Sequence, residues 1–190
     1  MSTHNSGSTS GNTHRTFTTR SLVMTAMFAA VLAVLSQISI PLPGGIPITL
    51  QTFAVAFLAV ILGPKYGTLA VLVYLLIGAA GIPVFAGFSG GPDALLGPSG
   101  GYLFGFLPFA ALTGLGARRK PVPSIALCIM GLLSCHVIGL FYYYLVMKTW
   151  ILPTVPLMLA KDIPTAIAAL FLGRRLSGHV MRLASSNDRI

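Results

Sequence analysis

Long apolar runs separated by short polar or glycine-rich breaks dominate this chain. Six runs stand out, at 22–40, 48–62, 66–82, 101–115, 124–147 and 156–172. A helix that crosses a bilayer needs about 20 apolar residues, with a range of roughly 17–25. The second and fourth runs are short on that scale, so their ends are expected to reach into the flanking loops. Backbone polar groups in lipid must bond to one another, which favours helices over open strands. The dyad alternation of a membrane barrel is absent. The pattern predicts an all-α integral membrane protein, a six-transmembrane-helix bundle with a Gly-rich external loop between helices 3 and 4.

The polar stretch 1–19 (MSTHNSGSTSGNTHRTFTT) cannot bury apolar surface and is expected to be a disordered tail. It lacks the basic start and apolar centre of a secretory signal. Residues 20–178 form the expected membrane domain, and 179–190 a short basic tail. No internal repeat is evident, so the inverted-repeat pattern of many secondary transporters is missing.

Composition agrees with lipid as the main solvent. The chain is 55% hydrophobic and 8% charged, with a mean hydropathy of +0.86; soluble domains carry about 25% charged residues. The net charge of +9 raises the question of nucleic acid. The basic residues form no stripe with stacking aromatics, and nucleic-acid binding is set aside. They sit between the apolar runs instead. With a cytoplasmic N-terminus, Arg15, Arg20, Lys65, Arg118, Arg119, Lys120, Arg174, Arg175, Arg182 and Arg189 fall inside, and only Lys148 and Lys161 fall outside. The positive-inside rule therefore predicts both termini in the cytoplasm. Cys128 and Cys135 lie two helical turns apart, too far to bridge, and read as small buried hydrophobes.

Only three acids occur, Asp93, Asp162 and Asp188. Asp162 follows Lys161 within an otherwise apolar run, where an ionisable side chain costs about 2.5–3.5 kcal/mol at mid-bilayer. A short aspartate snorkels poorly, so Asp162 is expected to face a cavity and a ligand with N–H donors; Lys161 can either snorkel or join it. Adjacent helical positions point about 100° apart, so the two side chains are not expected to face each other. Gln51 and Thr49 can line a pocket or cap a helix. His136 is the one intramembrane histidine and reads as a packed residue bonded to a backbone carbonyl rather than as a catalyst. No phosphate cradle, nucleotide fingerprint, metal-ligand spacing or carboxylate pair is present. Tyr142, Tyr143, Tyr144 and Trp150 read as interfacial anchors.

The loop PVFAGFSGGPDALLGPSGGY is long and apolar, with one charge. Irregular backbone at membrane depth is tolerated where it lines a cavity, so this loop reads as a folded cap over an outward-opening site rather than a hairpin resting on headgroups. Phe85, Gly87, Gly91 and Tyr102 are its candidate ligand-facing residues. In the first run, Ala26, Ala29, Ala30 and Ala33 form small-residue pairs four apart, suited to close helix packing inside the bundle or against a second membrane subunit.

Four motifs together, PITLQT (47–52), LGPKYG (62–67), YLLIGAAGIPVFAGFSGG (74–91) and GPSGGYLFGF (97–106), closely resemble the BioY family, the biotin-specific S components of energy-coupling-factor (ECF) transporters. The resemblance covers 22–176. It implies a substrate-binding protein, not an enzyme, that carries no cofactor and takes biotin from outside. It also implies a membrane coupling (T) subunit and a cytoplasmic ATPase pair as partners, and a bacterial inner-membrane location. Asp162 would accept from the ureido N–H of biotin, and the alanine face would meet the coupling subunit. Members of the family that the chain resembles often carry a lysine one turn after this acid. Here that position is Thr165 and the lysine is Lys161, which leaves the cation for the valeryl carboxylate unassigned. The competing readings are an S component for another small vitamin, an intramembrane enzyme built on His136 and Asp162, and a ligand-free scaffold bundle.

Overall fold

The apolar runs fold as helices. The computed structural model describes residues 19–42 and 44–186, with side chains described as far as Ser177. Helix α1 spans Thr19–Ser36, α2 Gln51–Ala79, α3 Pro92–Leu96, α4 Gly100–Gly116, α5 Pro121–Met147 and α6 Val155–Ser186. The expected N-terminal tail lies outside the described residues, apart from Thr19, which already opens α1. At the other end α6 continues to Ser186, so the expected basic tail from 179 is largely helical backbone.

The second and third apolar runs are the two arms, 51–62 and 64–79, of one hairpin. Gly63 adopts φ 77°, ψ 178° between them. Glycine reaches this left-handed conformation without strain, and Pro64 starts a helix without needing an N–H partner. The arms then run back along each other: Gly67 lies against Ala59, and Gln51 Nε2 donates to the Tyr74 hydroxyl at 2.8 Å.

Two expectations need correction at the mouth of the bundle. The second run does not extend outward as helix; Ile48–Thr49 pairs with Ser39–Ile40 as a two-residue antiparallel ladder, with Ser39 opposite Thr49 and Ile40 opposite Ile48. Strand backbone is tolerated here because the two segments satisfy each other and border a cavity. The first run likewise ends as helix at Ser36 rather than at residue 40.

Four segments are long and apolar enough to cross a membrane: Thr19–Ser36, Gln51–Ala79, Pro121–Met147 and Leu152–Ser177. Helix α4 is apolar but shorter. Large apolar side chains cover the outside, among them Val23, Leu76, Val137, Phe141 and Phe171, while Leu32, Val55, Phe109, Leu132 and Leu170 fill the centre. Helices α4 and α5 pack antiparallel, with Gly105 against Cys135 and Gly116 against Ser124, the small residues that let membrane helices approach closely. Both cysteines are free and buried.

The alanine pairs of α1 separate by face. Ala29 is buried and Ala33 packs against the core, whereas Ala26 and Ala30 are exposed. Only the second pair is available to another chain. The aromatic anchors divide too. Tyr144 and Trp150 stack on each other at the surface, centroids 4.5 Å apart, while Tyr143 is buried and Tyr142 donates to Leu95 O at 3.1 Å.

Candidate functional site

The cavity lies at the end of the bundle closed by the strand pair and the glycine-rich segment. Its volume is about 360 Å³, within the usual range of small-molecule sites. The strand segment supplies Ile46, Ile48 and Thr49. Helix α2 adds Gln51 and Thr52, α4 Tyr102 and Phe106, and α6 Met158, Lys161 and Asp162; the glycine-rich segment contributes Phe85, Ala86 and Gly87.

Seven of the eight residues expected to bind ligand line this cavity. Gly91 does not. Its φ of 87° and the bond from its N–H to Gly78 O at 2.7 Å make it a corner that anchors the loop to α2.

The loop folds inward through Phe85, which is 2% exposed. Its ring meets Tyr74 edge-on, centroids 5.3 Å apart, and lies over Gly78, where any Cβ would stand within 2.0 Å of the ring. From the end of α1, Gln37 Nε2 donates to Val84 O and Phe85 O at 3.2 Å each, and its Oε1 accepts from Phe88 N–H at 2.9 Å. Ser36 Oγ adds a bond to Val84 O at 2.6 Å. Neither Ser36 nor Gln37 was singled out from the sequence; two polar residues ending an apolar run were the available signal.

Asp162 is 5% exposed and sits within a network of donors. Thr52 Oγ1 donates to Oδ1 at 2.6 Å, and Lys161 Nζ is in close ion-pair contact with the same oxygen. The expectation that Lys161 and Asp162 do not face each other is therefore corrected. The lysine stem is long enough to bend its ammonium back, and a further bond to Thr49 O at 2.6 Å holds it there. Lys161 is thus drawn into the bundle rather than snorkelling. Thr165, one turn after the acid, turns its hydroxyl to Lys161 O at 2.9 Å and takes no part in the cavity.

Gln51 and Thr49 combine both roles foreseen for them. Thr49 Oγ1 accepts from Gln51 N–H at 3.2 Å, supporting the start of α2, and donates to Gln51 Oε1 at 2.9 Å. Both still line the cavity. Thr52 was missed by sequence reasoning, although it is one residue past Gln51 in the same motif.

His136 reaches the other side of Asp162. Its Nδ1 donates to Leu132 O at 3.1 Å, the backbone bond expected of a packed helical histidine. Its Nε2, however, lies 3.4 Å from Asp162 Oδ2. The two side chains are thus adjacent, but His136 is buried and does not line the cavity, whereas an enzymatic reading needs both in one water-accessible site.

Such an arrangement can hold a carboxylate ionised in apolar surroundings. Two cationic or hydroxyl donors fix one oxygen, and the cavity in front has room for a small, largely apolar molecule with N–H groups. A helical membrane bundle with one such walled, polar-pointed hollow is a small-molecule-binding membrane protein.

Comparison with known proteins narrows that class. Residues 8–182 match the model of the BioY family. The chain is 43% identical over 157 residues to the biotin transporter BioY of Thermotoga maritima, covering 80% of this chain and 92% of that protein. It is 38% identical over 168 residues to the biotin transporter BioY2 of Lactococcus lactis, covering 83% and 92%. Among solved structures, it superposes with a TM-score of 0.75 and 26% identity on the S-component for biotin from an ECF-type ABC transporter, over 85% of this chain and 94% of that one. The chain belongs to the BioY family. It is a multi-pass membrane protein of the transport class, and the enzymatic reading of the His136–Asp162 pair falls with that membership.

Proposed function

We propose that this protein binds biotin in the cavity beside Asp162 and serves as the substrate-binding S component of an ECF transporter. Biotin enters from outside beneath the glycine-rich segment. It is released inward when a membrane coupling subunit and a cytoplasmic ATPase pair drive the bundle. In this reading the chain has six spans, with the arms of α2 counted as two, so both termini share one side, taken as the cytoplasm of a bacterial inner membrane. The basic residues at 118–120 and 174–175 then face the cytoplasm, as the positive-inside rule asks. The exposed pair Ala26 and Ala30 is the face of α1 offered to the coupling subunit.

The observation that carries the reading is a buried, multiply held carboxylate at the wall of a partly open, mainly apolar cavity. Asp162 accepts from a ureido N–H of biotin, Lys161 keeps that carboxylate ionised, and Phe85, Tyr102 and Phe106 surround the apolar body of the ligand. Gln51, Thr49 and the backbone at Gly87 supply the remaining polar contacts.

Radiolabelled biotin binding to the purified protein tests this. Asp162→Ala is expected to lose about 1.5–3 kcal/mol, the worth of a hydrogen bond to a charged group. Unchanged affinity removes Asp162 from the site. Thermal stabilisation by a different vitamin, with none from biotin, reassigns the ligand; saturating biotin at 100 times its Kd should add about 2.7 kcal/mol.

A further inference from the structure

We infer that His136 is a positioning residue that carries a proton on both ring nitrogens and, through Nε2, fixes the second oxygen of Asp162 for ligand recognition. The inference rests on Asp162 being the ligand's acceptor, and it goes beyond that reading by assigning the group that aims the acceptor.

Donor and acceptor accounting leads to it. Leu132 O can only accept, so the proton of that bond sits on His136 Nδ1. A neutral ring would then present the bare lone pair of Nε2 to Asp162 Oδ2, 3.4 Å away. Two acceptors facing each other in a buried site repel, and Nε2 makes no hydrogen bond that would offset this, Oδ2 standing off at 3.4 Å. His136 is 4% exposed, so water does not relieve the conflict. One proton between Nε2 and Oδ2 resolves it.

The surrounding groups decide where that proton rests. On α6, Lys161 sits on Asp162 Oδ1, and Thr52 of α2 donates to the same oxygen, both favouring the carboxylate. From α4 the Tyr102 ring meets the imidazole edge-on, centroids 5.6 Å apart. On α5 the neighbouring Cys135 thiol is turned to Tyr102 O. Neither presents a second cation to the ring. The proton therefore belongs to Nε2, and Asp162 is an anion gripped from two sides. With Oδ1 held by α2 and α6 and Oδ2 by α5, its plane is fixed by three helices. A ligand N–H then meets a pre-aimed acceptor instead of ordering one itself.

Two measurements on the full chain in nanodiscs test this. The first needs no ligand. In protein labelled with 15N at histidine, both ring nitrogens of His136 should give protonated shifts at pH 7, and Asp162→Asn should return Nε2 alone to the unprotonated range. An unprotonated Nε2 in the unsubstituted protein overturns the inference.

The second is biotin affinity. His136→Leu should weaken binding about 10–100-fold, the equivalent of one hydrogen bond to a charged group, while His136→Gln, which keeps a donor at that place, recovers most of it. In the Asp162→Asn background, His136→Leu should add little, because its target is gone. Equal losses in both backgrounds would mean that His136 acts on the fold and not through Asp162. If the unsubstituted protein binds no biotin while the nitrogen shifts behave as stated, the ligand assignment fails and the His136–Asp162 coupling stands.

Discussion

The two ends of the bundle are built on opposite plans. At one end the chain reverses with almost nothing: a single non-helical residue, Gly63, joins the arms of α2, and the short segment 117–120 joins α4 to α5. Arg174 closes this end by donating to Ser124 Oγ at 2.7 Å and to Arg119 O at 3.0 Å. At the other end the connections are long, 37–50 and 80–99, and their residues turn inward to wall the cavity. The polar groups follow the same division. Asp162, Lys161, His136, Gln51 and Thr52 share the cavity end, where an ionised group can be satisfied by several partners. The lesson is that tight turns and small residues hold the helices in place at one end, which frees the other to spend chain length on recognition.

If the division is real, substitutions at the cavity end must cost binding more than stability, and the reverse must hold at the tight end. The largest effect is expected from Gly78→Leu. A side chain there collides with the Phe85 ring, which has Tyr74 on one flank and can yield only into the cavity it lines. Expelling a buried phenylalanine costs about 3–5 kcal/mol, so biotin affinity should fall more than 100-fold. Circular dichroism should show the helices intact. Wild-type affinity in this variant would mean that the seating of the loop is irrelevant to the site.

Gln37→Ala probes the same loop more gently. It removes the three bonds that tie α1 to Val84, Phe85 and Phe88 while leaving Ser36 in place. At about 0.5–1.5 kcal/mol net per bond, loss of the three should make the segment open at least about 10 times more often. Hydrogen exchange at residues 85–89 measures this directly, and biotin affinity should drop by no more than the measured factor.

The sequence made one part of this comparison legible and hid the other. Hydrophobic runs announce membrane helices because lipid leaves the backbone no alternative, and a buried aspartate is conspicuous where acids are so few. The Gly-Pro step at 63–64 marked a break between runs, but not that the two arms fold onto each other. That depends on Gly67 meeting Ala59 and on Gln51 finding Tyr74, pairings with no local signature. The same limit hid the site's wiring. Rotating each helix by a fraction of a turn decides whether Thr52 and His136 see Asp162, and α1, α2 and α5 are apolar around most of their circumference. The Lys161–Asp162 contact was missed because helical spacing fixes where Cβ points, not where a four-carbon stem ends. Gly91 stands outside the cavity lining because a glycine near a site can serve the backbone alone.

The tight end provides the smallest and most discriminating test, Gly63→Ala. No atom lies within 4 Å of a Cβ built there, so a methyl group meets empty space. The whole cost is conformational: alanine at φ 77° with ψ near 180° occupies a region that side chains avoid, worth about 1–3 kcal/mol. A change of that size should lower the Tm of a domain of this length by about 2–10 °C. The hairpin has no freedom to relax toward the cavity, because Gly67 against Ala59 and Gln51 on Tyr74 lock the arms between the turn and the site. Biotin affinity should therefore stay within about twofold of wild type, as for sites that share no partners. Thermal unfolding and equilibrium binding on the same preparation read both quantities. A large loss of affinity at an unclashed turn would show that the ends of the bundle are mechanically coupled, and would tie recognition at the cavity to motion at the opposite face.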